Sequence, residues 1–245
     1  MIKFDSTNVV GFESIIRAMH NFRNSWGDSD SGICPNGTEF GYCYLDHRKY
    51  CPRQNTDDPA FCVGPKDLDL LTRICHNGLY RSKLLQGITV CVNITAPLYW
   101  WKEFVTYKVD KADCDPMIPR LVDKEFTHED FSCEHLRSSS IELLDKNIVH
   151  LNYERVNYLS TKDIDAKKAY LLQIVQLLPS SYNQENTVML NYKVLAKIYS
   201  SYKDHMLDEW REFCKWIESL PYSELITQNE KPTEDHIFLT RKLNH

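Results

Sequence analysis

Between Gln86 and Thr95 the chain alternates, with Ile88, Val90, Val92 and Ile94 on one side and Thr89, Cys91, Asn93 and Thr95 on the other. Successive strand side chains point to opposite faces, so this run predicts a strand with one apolar face on a core. Ala96-Pro97 follows at once. Thr95 and Pro97 then offer an N-cap and a helix-starting proline, and Leu98, Trp101, Phe104 and Val105 form the buried stripe of the next helix. A strand that runs straight into an amphipathic helix points to an α/β protein.

Further helices are marked by apolar residues three and four apart. Phe12, Ile15, Ile16, Met19 and Phe22 make the first, with a short strand expected before it. Pro65 opens a second that turns Leu68, Leu71 and Ile74 inward and ends at a left-handed cap on Asn77-Gly78. The C-terminal half reads as helical throughout. Its stripes are Ile141, Leu144, Ile148 and Leu151; Tyr170, Ile174 and Leu177; Leu190, Val194 and Ile198; and Trp210, Phe213, Cys214 and Ile217.

The expected organisation is a strand and helix over 1–23, a Cys-rich insert over 24–63, the remainder of the core over 64–228 and a polar tail over 229–245. Pro116 and Pro119 break any helix after the Ala-Pro step, and the chain to Ser140 reads as loop. A net charge of -5 gives no overall attraction to nucleic acid or anionic lipid, so nucleic acid is not an expected partner. No apolar run approaches a membrane span and the first residues lack a secretory core, so a cytoplasmic protein is expected. Nine cysteines, an odd number spread along the chain, then read as reduced thiols.

Laid end to end, these elements resemble the flavin-dependent thymidylate synthases. The stretch from Leu71 to Lys108 is similar to that family's helix, His-containing turn, central strand, Ala-Pro step and helix, with His76 at the turn. A second block, Leu177 to Arg211, resembles the family's Leu-Pro, Tyr, Asn-initiated helix, His and Glu-x-Arg in Leu178-Pro179, Tyr182, Asn191, His205, Glu209 and Arg211. The resemblance implies an α/β fold with a central mixed sheet flanked by long helices. It also implies FAD, deoxyuridylate as pyrimidine nucleotide, one-carbon transfer and a homotetramer with shared active sites. Proteins of this appearance resemble those carried by phages, which places the chain in a host cytoplasm.

The family's signature is largely replaced. Thr106, Tyr107 and Lys108 stand where Arg-His-Arg is expected, and Lys111, Asp113, Cys114, Pro116, Ile118 and Pro119 occupy its later positions. Guanidiniums fork onto phosphate or a flavin carbonyl in a way that Thr and Pro cannot imitate. Lys203 follows the Asn191 helix where a family cation is expected one residue away. If the chain is an enzyme, it is a divergent nucleotide one-carbon transferase; otherwise the fold serves as an oligomeric protein-interaction module.

The richest pocket composition lies just past the strand, where Tyr99, Trp100, Lys102, Glu103, Tyr107 and Lys108 mix rings with charge. Trp100 and Tyr107 are expected to stack a flat ring, with Lys108 and Lys111 meeting a phosphate. The bland alternative is an aromatic core seam with a solvated charged face. Cys114 offers a thiol for attack on the pyrimidine, although Asp113 and Asp115 beside it oppose the thiolate. Cys34, Cys43, Cys51 and Cys62 lie with His47 in a region poor in apolar residues and either bind zinc or stand as separate reduced thiols. They contain no Cys-x-x-Cys knuckle.

Overall fold

The computed structural model describes residues 2–21, 24–33, 61–76, 81–107, 110–111 and 121–227, with the backbone alone at His76, Arg81, Ser82, Asp110 and Lys111. Helix and strand both contribute. A sheet has the strand order β1 (Lys3–Val10), β4 (Thr89–Pro97), β6 (Asn183–Asn191), β5 (Asp110–Lys111), and a smaller one pairs β2 (Gly32–Ile33) with β3 (Phe61–Cys62). The chain divides into two compact units, Met1–Asp5 with Asn93–Val188 and Ser6–Val92 with Met189–His245, and the division falls inside β1, β4 and β6. No described helix is long and apolar enough to cross a membrane.

In the unit containing Asn93–Val188, β4 buries Ile94 and Ala96 and continues to Pro97 before α4 (Leu98–Phe104) begins. The expected proline position is shifted by one. Pro97 is the N-cap itself, in extended backbone, and no side chain caps the helix. The first amides of α4 find carbonyls elsewhere: Leu98 N–H donates to Tyr182 O at 2.9 Å and Tyr99 N–H to Ser180 O at 3.0 Å. A helix start must satisfy those donors, and here the 180–182 segment does so in place of Thr95. The stripe is also rotated from expectation, since Trp100, Trp101 and Phe104 are buried while Val105 is exposed.

Later in the same unit, α5 (Ser138–Ser160) and α6 (Ile164–Leu177) form an antiparallel pair joined by a short turn. Asp163 caps α6 by accepting from the amides of Asp165 and Ala166. Leu144, Ile148 and Leu151 of α5 meet Ile174 of α6 in a cluster with Leu121, Val122, Phe126 and Phe131, whereas Leu177, expected on the α6 stripe, is 41% exposed at the helix end. Tyr182 packs edge-on against Phe131 and Phe126, and a β-bridge joins Phe131 to Tyr182.

In the other unit, α1 (Phe12–Asn21) buries Phe12, Ile15, Ile16 and Met19 as the sequence predicts. Gly11, at φ +107°, turns β1 into α1 where an added Cβ would lie 2.1 Å from the Gly87 carbonyl oxygen. The insert's described ends are a 3-10 turn over Trp26–Asp28 and the β2–β3 ladder, which pairs Gly32 with Cys62 and Ile33 with Phe61. Pro65 opens α2 (Pro65–His76), which buries Leu71. Next comes α3 (Arg81–Gln86). After β6 come α7 (Tyr192–Tyr202), α8 (Asp208–Glu218) and α9 (Glu224–Thr227). On α8, Trp210, Phe213, Cys214 and Ile217 are all buried, matching their spacing.

One expected helix is corrected at its start. Leu190 belongs to β6, and helix begins only at Tyr192, because Asn191 stops the strand and caps α7 by accepting from Val194 N–H at 3.0 Å. The strand escapes a reading by apolar spacing because Asn186 is one of its buried residues, 3% exposed beside Val188 and Leu190. A half-polar buried face does not register as alternation of apolar and polar.

Candidate functional site

The ring-and-charge segment past β4 becomes one continuous helical stretch, α4 followed by a 3-10 turn over Val105–Tyr107. Two tryptophans hold it in place. Trp100 is 0% exposed and stacks on Phe104 at 4.6 Å between centroids, while Trp101 meets both rings edge-on. Trp101 also donates its Nε1–H to Gln184 O at 3.0 Å, fixing the helix to the start of β6. The rings that were expected to stack a ligand therefore divide: Trp100 is packed inside, whereas Tyr107 is half-buried at the rim.

The polar side chains of this stretch lie outward. Lys102 is exposed and Glu103 half-buried. Thr106 donates its hydroxyl to Glu103 O at 2.7 Å and so closes the end of its own helix. A threonine bonded to the preceding turn supplies no charge and no free donor for a phosphate.

Beside this helix the two central strands carry a polar face. Asn93 and Thr95 of β4 and Thr187 of β6 are half-buried, and Thr187 Oγ1 lies 2.7 Å from Asn93 Oδ1. On the opposite, buried face of β6, Gln184 donates its amide to Asn186 Oδ1 at 3.1 Å. Half of the polar face stands in the sequence as Thr89, Cys91, Asn93 and Thr95, but its partner strand does not, for the reason given above. The Tyr182 phenol, near the start of β6, is pushed above its usual range by burial and the nearby Asp130 carboxylate, with Lys124 opposing.

Several expected site residues have structural duties in the unit that contains them. Asn191 caps α7, and Lys203 follows its last turn, exposed. At 1.5 Å of rise per residue the two stand about 18 Å apart, so α7 does not bring them to one phosphate. Arg211 donates to the carbonyls of His205 at 2.8 Å and Met206 at 2.9 Å, and pairs with Asp208. Its guanidinium thus closes the loop between α7 and α8. His76 is the last residue of α2, and Lys111 lies in β5.

Lys108, Cys114, Cys34, Cys43 and Cys51 lie outside the described residues. Cys62 is half-buried in β3, and among the described residues no three His, Cys, Asp or Glu side chains gather as a metal site. Cys214 is no stand-in for a reactive thiol, since burial, helped by the Glu218 and Asp204 carboxylates, pushes it up to about 12.

No protein-family model and no curated protein matches the sequence. Solved structures do match. The flavin-dependent thymidylate synthase ThyX of Helicobacter pylori, complexed with FAD and dUMP, superposes with a TM-score of 0.54 over 92% of this chain and 96% of its own, at 14% identity. A second structure of that enzyme with FAD and dUMP gives 0.53 over 93% and 97%, at 13% identity. The chain shares the fold of a flavin-dependent thymidylate synthase. The layout read from the order of helix, strand, Ala-Pro step and helix is thus matched in tertiary structure along nearly the whole chain, at low identity.

Proposed function

We propose that the chain is a divergent flavin-dependent thymidylate synthase-like protein that binds a pyrimidine deoxynucleotide, with FAD, in one-carbon transfer of the methyl or hydroxymethyl kind. The observation that carries this reading is a match over nearly the full length to a synthase solved with FAD and dUMP. The polar groups of α4 and the 3-10 turn after it suit such ligands in kind. Exposed Lys102 supplies a cation for phosphate, half-buried Glu103 a carboxylate for a pyrimidine or flavin edge, and half-buried Tyr107 a ring face and hydroxyl. Lys108 adds a second cation directly after them in sequence.

When bound, FAD would supply the hydride chemistry that such a transfer needs. The chain's part is to hold and orient the nucleotide, and here Thr106, Pro116 and Ile118, standing in signature positions, favour a product other than thymidylate. The purified protein is expected to show flavin absorbance and to bind dUMP in a calorimetric titration. Lys102→Ala should weaken that binding about tenfold, the size of one charge-assisted hydrogen bond. A colourless protein that ignores dUMP would sink the enzyme reading.

A second reading, an oligomeric interaction protein, rests on α5. Opposite its buried stripe, Val149, Tyr153 and Val156 follow at intervals of four and three and are 70%, 62% and 57% exposed. An apolar stripe of that kind is a self-association surface, in keeping with the tetramer implied by the family resemblance. Replacing all three by Glu is expected to lower the mass measured by light scattering from that of an oligomer to that of one chain. An unchanged oligomer would place the association surface elsewhere.

A further inference from the structure

A second cluster, formed by α1, α2 and the loop after α1, combines a nucleophile, a base and a carboxylate. His20, near the end of α1, is 3% exposed, and its Nε2 stands 2.7 Å from Oδ1 of Asp67 on α2, itself 2% exposed. The other oxygen, Asp67 Oδ2, accepts the hydroxyls of Ser29 and Ser31, each at 2.6 Å. On the far side of the imidazole, Nδ1 stands 3.0 Å from Ser25 Oγ.

The partners assign the tautomer. Burial raises Asp67, but hydrogen bonds from Ser29, Ser31 and His20 outweigh it and hold the carboxyl below its ordinary value. A carboxylate only accepts, so Nε2 carries a proton toward Asp67, and in the tautomer with that single proton Nδ1 presents its lone pair to the Ser25 hydroxyl. Nucleophile, base and orienting carboxylate then stand in line, a constellation recognised by geometry and role whatever its order along the chain.

Tying a loop to two helices would explain Ser29 and Ser31, both spent on the buried carboxylate. Ser25 differs from them: its amide donates to His20 O at 3.1 Å and its hydroxyl meets the opposite ring nitrogen, at a half-buried position. Trp26, 40% exposed, stands edge-on to His20, and the Arg17 guanidinium lies 4.8 Å over its ring. Arg17 also pairs with Glu13 at 3.0 Å, so what remains next to Ser25 in sequence is the exposed edge of the Trp26 ring, which suits an ester with an apolar group.

We propose that Ser25 is an activated nucleophile toward esters of this class, with His20 as its general base and Asp67 as the positioning residue. Ser25 Oγ bonds to the ester carbonyl carbon as its proton passes to His20 Nδ1. The C–O bond to the alcohol then breaks, and that oxygen leaves with the proton from His20. Water attacks the acyl-serine, giving its proton to His20, which returns one to Ser25 Oγ, so ester and water yield acid and alcohol.

Diisopropyl fluorophosphate tests the site on the full-length protein, because its P–F bond breaks and a serine O–P bond forms only at an activated hydroxyl, with fluoride leaving. Peptide mass spectrometry is expected to find one adduct, at Ser25, with Ser29 and Ser31 unmodified. His20→Gln, if folded by circular dichroism, should slow labelling on the order of a hundredfold. No adduct at Ser25, or undiminished labelling of folded His20→Gln, overturns the proposal; if His20→Gln does not fold, the unsubstituted chain decides, since an adduct at Ser29, Ser31 or a tyrosine in place of Ser25 overturns it as well.

Discussion

Trp100→Ala is expected to lower the stability of the folded chain by about 3–5 kcal/mol, the usual cost of emptying a large aromatic site in a core. Trp100 is 0% exposed and stacks on Phe104 with Trp101 against its edge, so truncation removes the centre of a three-ring anchor. The loss would be felt first in α4, whose first amides are satisfied only while Leu98 and Tyr99 stay against the 180–182 carbonyls. The nucleotide binding proposed for Lys102, Glu103 and Tyr107 should fall with stability, because the same turns carry them. Urea denaturation followed by circular dichroism measures the effect, and Trp100→Phe, which keeps a ring, should lose less than half as much. A loss under about 1 kcal/mol for the alanine variant would mean that these rings do not hold the helix.

Asp67→Ala is expected to be of similar size, about 3–5 kcal/mol, for a different reason. The substitution removes the shared acceptor of His20, Ser29 and Ser31, and a buried donor left without a partner keeps its full desolvation cost. The sign of the pH dependence follows from the direction of the shift. Asp67 in the folded chain lies below its ordinary 3.8. Its contribution is therefore complete above the unfolded value and drains away as pH falls through the folded one, from roughly pH 5 downward. Unfolding free energies measured between neutral and acid pH should converge for the native chain and Asp67→Ala at the acid end. Parallel curves would show that Asp67 is protonated, or unpaired, when folded.

The elements legible in the sequence are those whose burial is one-sided and apolar. The strand through Val90, Val92 and Ile94, the α1 stripe and the α8 stripe of Trp210, Phe213, Cys214 and Ile217 all bury as their spacing predicts. Two stretches read differently in three dimensions. At β6 the buried position of Asn186 hides the period, and Asn191 ends a strand and starts a helix in adjacent residues. At α4 the helix start is satisfied by the carbonyls of Ser180 and Tyr182, more than eighty residues on, and no local cap marks it.

The candidate site was legible as composition and not as geometry. Tyr99, Trp100, Lys102, Glu103 and Tyr107 are adjacent in sequence, but only packing separates the buried Trp100 from the half-buried Tyr107. Likewise Arg211 spends its donors on loop carbonyls, and Asn191 spends its side-chain oxygen in accepting a helix amide. The His20–Asp67 pair spans 47 residues across the insert, with no periodicity to announce it.

By itself the sequence determined the central strand and its Ala-Pro step into a helix, the apolar stripes that fill the core, and the layout shared with flavin-dependent thymidylate synthases. These depend on local period and on order along the chain. Tertiary structure decided which polar side chains serve the fold and which face outward, because that depends on partners brought together from distant segments. It also decided that the central strand is paired with β6, since a strand that buries an asparagine acquires its identity from the neighbour to which it bonds.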